Sequence, residues 1–386
     1  MVQVRRVIGR WEVSGTVMKR ACDWLRRCLY GLGSLGLLLH VAWAAEGLRA
    51  SWPDPLTSYP GFNAASRAEI LTFGSELLAS EMLPADEWPG RLHVTLLDMP
   101  AFEQYRQLLW RRLLTAYRAA ARDCGRCAHP ETVAALREVV ARQPPVSARF
   151  AAWQQDSHTF HAAYLQQLLV RAAAAQWMPN EAQPLTPDEL TGFELLDGEF
   201  LLSFDGGPTA IAQTQRLAQL LNDRGQNAVF FTIGERLLTR AHGEGGNLHN
   251  LYAENCVATQ GMQERVMRGR EDWLDTLEQG RRSLLRVNGS TRLPWFRPPQ
   301  GERDLDISTR APLRLVLWNI DSGDLRRGAT ATQVSDRVLT LMLLWRRGVI
   351  RFHDRSPLAL QVLPGLFTQV QTSPVRWVDC RTFADH

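Results

Sequence analysis

From Glu199 onward the chain alternates short apolar runs with helical stretches, and this alternation constrains the fold more than any other feature. Apolar runs lie at 199–205, 228–233, 295–297, 313–320, 349–353 and 376–378, and helical patterns fill 209–224, 271–287 and 332–347. Strands alternating with helices argue for a parallel sheet or barrel with helical crossovers. The first run, Glu199-Phe-Leu-Leu-Ser-Phe-Asp205, breaks at once into Gly206-Gly207-Pro208, so a carboxylate stands at the end of an apolar strand. In barrels of this kind, chemistry collects at the C-terminal ends of the strands. Three further strand ends carry polar groups. Arg297 sits in Trp295-Phe-Arg-Pro-Pro-Gln-Gly301, Asp321 and Asp324 follow Trp318-Asn-Ile320, and His353 precedes Asp354.

Ahead of this region the pattern is helical, in segments at 66–82, 101–123, 130–142 and 147–176. In the second, Phe102, Tyr105, Leu108, Leu109, Arg112, Leu113 and Tyr117 keep the three-and-four spacing of one helix face. Pro179, Pro184, Pro187, Asn180 and Gly192 interrupt the pattern and mark a boundary. Residues 45–180 are therefore expected to form an α-helical region and residues 181–386 an α/β barrel.

The first 44 residues read as a secretory signal. Lys19, Arg20, Arg26 and Arg27 precede an apolar run from Cys28 to Trp43, and Ala42-Trp43-Ala44 offers a small-x-small cleavage site. Met18 is an alternative start, because a complete leader begins there. An uncleaved anchor is the competing reading, although the run is short for a span and holds Gly31, Gly33, Ser34, Gly36 and His40. The expected protein is thus exported to the periplasm or beyond, with no membrane contact except through the leader. Four cysteines follow it, Cys124, Cys127, Cys256 and Cys380, and allow three disulfide pairings. Cys124-Gly-Arg-Cys127 also suits half of a zinc site or a redox pair.

The net charge of +4 comes from the leader, which holds seven basic and two acidic residues, leaving 37 basic and 38 acidic residues after it. That balance gives no footprint for nucleic acid.

Taken together, the strand ends resemble the polysaccharide deacetylase family (carbohydrate esterase family 4) over roughly residues 195–386. Phe204-Asp205-Gly206-Gly207-Pro208 is similar to the family's Phe-Asp-Asp-Gly-Pro, Asn227-Ala-Val-Phe-Phe-Thr-Ile-Gly234 to its second strand, and Phe296-Arg-Pro-Pro-Gln-Gly301 to its Arg-Pro-Pro-Tyr-Gly. Trp318 to Leu325 resembles Asp-x-x-Asp-Trp with Leu325 in place of the pocket Trp, and Ile350-Arg-Phe-His353-Asp354 resembles the last motif. The resemblance implies a distorted (β/α) barrel and hydrolysis of N-acetyl amide groups on a cell-wall or other N-acetylated polysaccharide. It assigns Asp205 as general base, His353 as general acid, Arg297 and Asp324 as their supports, and Pro298, Pro299, Gly301 and Leu325 as substrate-binding residues.

The resemblance also implies a divalent, zinc-like metal held by Asp, His and His, and here the chain departs. Those positions read Gly206, Gln260 and Glu264, a set with one good hard-metal ligand. His242, His249 and Asp321 are candidate replacements. Three readings stay open: an amide hydrolase with Gln260 and Glu264 at a rebuilt metal site, a pseudoenzyme that binds glycan or a protein partner, and a metal-free glycosidase-like pair of Asp205 with Asp321 or Asp324.

Overall fold

The computed structural model describes residues 52–383 apart from 95–96, 145–146, 174–185, 187, 211, 244–247, 253, 266–269, 289–293, 303–308 and 310. The expected leader at 1–44, residues 177–185 and 187 of the boundary and the side chain of His249 lie outside the described residues.

Four long helices come first: α1 (Tyr59–Glu81), α2 (Met99–Ala121), α3 (Val133–Ala141) and α4 (Ala151–Ala173). Their starts follow local capping chemistry. Ser58 accepts from the Gly61 N–H at 3.1 Å, Asp98 from Ala101 at 3.0 Å and Thr132 from Ala135 at 3.1 Å, satisfying amides that the helix itself leaves orphaned. Between α1 and α4 the buried Glu69 carboxylate accepts from Trp153 at 3.0 Å, Ser157 at 2.6 Å and His161 at 2.8 Å.

The α/β part runs β1 (Glu199–Gly207), α5 (Gln213–Asp223), β2 (Val229–Thr232), α6 (Gly234–Gly243), β3 (Cys256–Thr259), α7 (Arg270–Asn288), β4 (Trp295–Phe296), β5 (Arg314–Leu315), β6 (Ile320–Asp321), α8 (Ala331–Trp345), β7 (Gly348–His353), α9 (Pro357–Val370) and β8 (Arg376–Trp377). Every pairing among these strands is parallel, in the order β5-β4-β3-β2-β1-β7-β6, with β8 beside the start of β1. The result is the curled, helix-flanked half-barrel that the alternation predicts.

Residues 313–320 read as one strand in the sequence, but the structure makes them two. β5 pairs with β4 on one edge of the sheet and β6 with β7 on the other, so a single extended passage joins the two edges. Asn319 interrupts it, because its side-chain oxygen takes the Val349 N–H at 3.0 Å and its amide donates to the Arg347 carbonyl. Those bonds replace the ladder bonds that a continuous strand would make.

Period-two alternation decides what faces inward. On β1, Phe200, Leu202 and Phe204 pack against the helices, whereas Leu201 joins an interior cluster with Val229, Phe231, Trp295, Trp318 and Val349. Ser203 and Asp205 share the face of Leu201, as Arg297 shares that of Trp295, and Arg351 and His353 that of Val349. The helix α8 is buried all round from Arg337 to Trp345 and mostly apolar there, because it is covered on both sides. The four-helix region packs on it: Ser66 donates to the Leu343 carbonyl at 2.6 Å, and Trp345 to the Tyr164 hydroxyl at 3.0 Å.

The disulfides pair Cys124 with Cys127 and Cys256 with Cys380. The second ties β3 to the C-terminal segment across 124 residues. Closing so long a loop restricts the unfolded chain, so Cys256→Ala with Cys380→Ala is expected to lower stability by about 2–4 kcal/mol, against well under half of that for the Cys124–Cys127 pair. Urea denaturation of each double variant measures the difference, and equal losses would contradict it. Among the described residues no helix is long and apolar enough to cross a membrane.

Candidate functional site

The inward faces of β1, β4, β6 and β7 bring Asp205, Arg297, Asp321, Arg351 and His353 to one end of the barrel. Arg297 is fully buried, and each of its bonds fixes it there. Its Nε donates to the Val316 carbonyl at 2.8 Å, Nη2 to Leu317 at 2.8 Å, and Nη1 to Ser203 at 2.9 Å and Asp205 at 2.7 Å. The guanidinium also lies over the Phe231 ring, 3.9 Å from its centroid. Burial pulls Arg297 down to about 10, against the opposing pull of Asp205, so it stays a cation at neutral pH.

Asp205 thus presents one oxygen to Arg297 and holds the other 4.0 Å from Arg351. Arg351 in turn bonds Asp321 and covers the Trp318 ring at 3.7 Å. Burial alone would raise the Asp321 carboxyl, but Arg351, Arg337 and Arg326 outweigh it and hold it well below the usual carboxylate range. A glycosidase acid needs a raised value. Asp321 is therefore no proton donor, and a guanidinium bridges it to Asp205.

Across the β1–β7 register Asp205 pairs with His353. Asp324 fixes His353 twice, accepting from its backbone N–H at 2.9 Å and from ring Nδ1 at 2.8 Å. A carboxylate at Nδ1 keeps that nitrogen protonated, so Nε2 is the atom available for proton transfer. Ser356 donates to the Asp324 carbonyl at 3.0 Å and holds the turn. Pro298, Pro299 and Gly301 are buried in the turn after Arg297, and Leu325 is 40% exposed.

The three positions expected to hold a metal do meet, but around another group. The Gln260 oxygen accepts the Gly206 N–H at 3.0 Å. Glu264 Oε2 takes Arg236 Nη2 at 2.6 Å and stands 3.6 Å from Arg355. Arg236 Nη1 donates to the Gly206 carbonyl. A Cβ built on Gly206 would lie 3.1 Å from Arg236 Nη1 and 3.9 Å from Glu264 Oε1. A guanidinium therefore stands where the ligands would converge, held by Glu264 Oε2, and the Gln260 oxygen is taken by the Gly206 N–H. Among the described residues no three of His, Cys, Asp and Glu form a metal-holding group, and this residue set does not fit a divalent ion. His242 is exposed in the last turn of α6 and takes no part.

Sequence reasoning did not single out Arg351, Arg236 or Arg355. Arg351 was open to a parity argument, since it lies two residues before His353 on the same strand face. Arg236 was not, because nothing local links α6 to Gly206.

Behind the site, Asp354 is fully buried and accepts from the Thr214 hydroxyl at 2.9 Å. Burial pushes its carboxyl up to about 7, against the Thr214 hydrogen bond and the Arg236 and Arg240 cations, which lower it. A carboxyl raised in the folded state binds its proton more tightly there than in the unfolded chain. Stability must then fall as pH rises from about 4 to about 7, by an amount on the order of 2–4 kcal/mol, and level off above. Asp354→Asn is expected to flatten that slope in denaturation curves taken from pH 4 to 8; an unchanged slope would show that Asp354 is not its source.

Two grooves of about 460 and 490 Å³ lie elsewhere, the first lined by residues such as Trp52, Glu69 and Leu339, the second by Glu76, Trp88 and Leu169. Neither includes a strand-end residue.

No protein-family model matches the chain, and no curated protein does. Among solved structures it is similar to a peptidoglycan deacetylase from Bacillus subtilis, at 18% identity over 49% of this chain and 92% of that one, with a TM-score of 0.41. It is also similar to a family 4 carbohydrate esterase from Streptomyces lividans in complex with acetate, at 25% identity over 45% and 88%, TM-score 0.37. A third, from Bacillus anthracis, is described as a pseudoenzyme of carbohydrate esterase family 4; it shows 18% identity over 48% and 65%, TM-score 0.41.

Proposed function

We propose that this barrel acts on the N-acyl group of a cell-surface glycan, with Asp205 taking a proton from water and His353 donating one to the departing nitrogen. Export through the leader, the division at about residue 180, and substrate contacts at Pro298, Pro299, Gly301 and Leu325 belong to the same proposal. One observation carries it: Asp205 and His353 stand side by side in a single strand register, each held by its own buried partner. General acid–base chemistry needs that arrangement, a proton acceptor and a proton donor fixed on either side of one reacting bond. Arg297 and Asp324 act through these two and are positioning residues.

Acetate release from N-acetylglucosamine oligomers, in chelator and with added zinc, cobalt or manganese, tests the reading. The wild type should turn over, and Asp205→Asn and His353→Ala should each lose about 100-fold or more. Absence of release under every condition would end the hydrolytic reading. The Arg236–Glu264 pair favours a second one, glycan binding without turnover. Its signature is oligomer binding that survives chelator and yields no acetate.

A further inference from the structure

We propose that Arg236 is the acyl-oxygen-binding group of this site, a guanidinium built into the position where the three motif residues converge. Its ligand is the carbonyl oxygen of an N-acetyl group, or the carboxylate that oxygen becomes. The choice of an acyl ligand rests on the proposed function; the presence of an oxygen-binding cation does not.

Four observations support it. Arg236 is anchored from both sides, by the Gly206 carbonyl at the end of β1 and by Glu264. The start of α6 is tied to the loop carrying Glu264, since Gly234 and Glu235 donate backbone N–H groups to the Gly261 and Met262 carbonyls at 2.9 and 3.0 Å. Of the five guanidinium N–H donors, two are engaged by described residues, and the side chain keeps 34% exposure. Arg355, 3.6 Å from the same Glu264 oxygen, supplies a second cation against that one carboxylate.

Arg236 bonds the carbonyl of residue 206, one residue after Asp205, and the proposal places the bound oxygen within reach of the base. In the step this implies, the water oxygen bonds to the carbonyl carbon, and the C=O electron pair moves onto the oxygen facing Arg236. The water proton passes to Asp205. As the tetrahedral carbon collapses, the C–N bond breaks and His353, protonated on both ring nitrogens, gives its Nε2 proton to the nitrogen. Acetic acid and the free amine leave, and the proton on Asp205 returns to His353 through solvent.

The test uses the chain in chelator with two probes, the tetramer of N-acetylglucosamine and its fully de-N-acetylated form, read by calorimetry and by acetate release. Arg236→Met should bind the acetylated tetramer at least about 10-fold more weakly and the deacetylated one unchanged, with Arg236→Lys intermediate. Turnover, where present, should fall about 100-fold or more in kcat, as on loss of one preorganised oxyanion donor. Thermal melts establish that both variants fold. Wild-type-like binding by Arg236→Met, or loss of wild-type binding in chelator, overturns the proposal. Arg236-dependent binding without acetate release overturns hydrolysis alone, and release that ignores Arg236→Met overturns this inference alone. A wild type that neither binds nor hydrolyses the acetylated tetramer overturns both.

Discussion

Arg297→Met is expected to cost about 3–5 kcal/mol, the largest stability loss of any single change at the barrel mouth. The side chain is fully buried, yet its three nitrogens reach two backbone carbonyls, Ser203 and Asp205. Methionine fills similar volume and keeps the contact with Phe231, so the loss is not one of packing. It arises because Asp205, 3% exposed, becomes a buried carboxylate with Arg351 as its remaining counter-charge at 4.0 Å, while the Val316 and Leu317 carbonyls lose their donors. Neutralising the partner should reverse much of the damage: Asp205→Asn with Arg297→Met is expected to recover half or more of the loss, since replacing both members of a buried pair is far milder than removing one. Urea midpoints of the two single variants and the double one give the coupling. An Arg297→Met loss below about 1 kcal/mol would mean that the pair is not desolvated as described.

The second large effect is a gain. Gly206→Asp, Gln260→His and Glu264→His restore the three ligand types of the resembling family, and Arg236→Ala removes the guanidinium among them. The combination is expected to bind zinc with a Kd in or below the micromolar range, a standard binding free energy of about −8 kcal/mol, where the parent binds none above background. Geometry motivates it, since Gln260 reaches the Gly206 N–H and Glu264 Oε1 lies 3.9 Å from a Cβ at that position. A cost comes with it, because Gly206 has φ of +81° and aspartate in left-handed backbone is disfavoured by about 1–2 kcal/mol. The decisive control retains Arg236. In that triple variant the cation would stand about 3.1 Å from the new aspartate Cβ and compete for its carboxylate, so zinc affinity should fall by orders of magnitude. Calorimetry with both variants separates the outcomes, and failure of the quadruple variant to bind zinc would show that the three positions do not converge on a metal-sized space.

Much of the fold was legible because it follows local rules. The helices at 101–123, 130–142 and 332–347 show in their periodicity and the strands in apolar runs ending in Asp205 and His353, whereas α1 starts at Tyr59 behind its Ser58 cap, seven residues ahead of the expected 66. What escaped depended on distance in space. β3 is four residues long, Cys-Val-Ala-Thr, too short to carry a pattern, and α6 hides behind glycine-rich sequence. Residues 313–320 look uniformly extended, and nothing in their composition says that their two ends belong to opposite edges. The pairing of Cys256 with Cys380 was one of three possibilities until the register placed β3 near the C-terminal segment, where Asn227 accepts the Cys380 N–H at 2.8 Å. Within the site, Asp205, Arg297, Asp324 and His353 were visible as strand ends, whereas the placement of Arg236 against Gly206 joins residues 30 apart through a side-chain contact that no spacing rule encodes.

The passage from Arg314 to Asp324 serves both walls of the barrel at once. Val316 and Leu317 hold the arginine that steadies Asp205, and a few residues later Asp324 steadies His353. Proton acceptor and proton donor are therefore gauged by one short ruler of backbone. Inserting or deleting a residue there would change their spacing even with every named side chain intact, so in this segment length is held more tightly than composition.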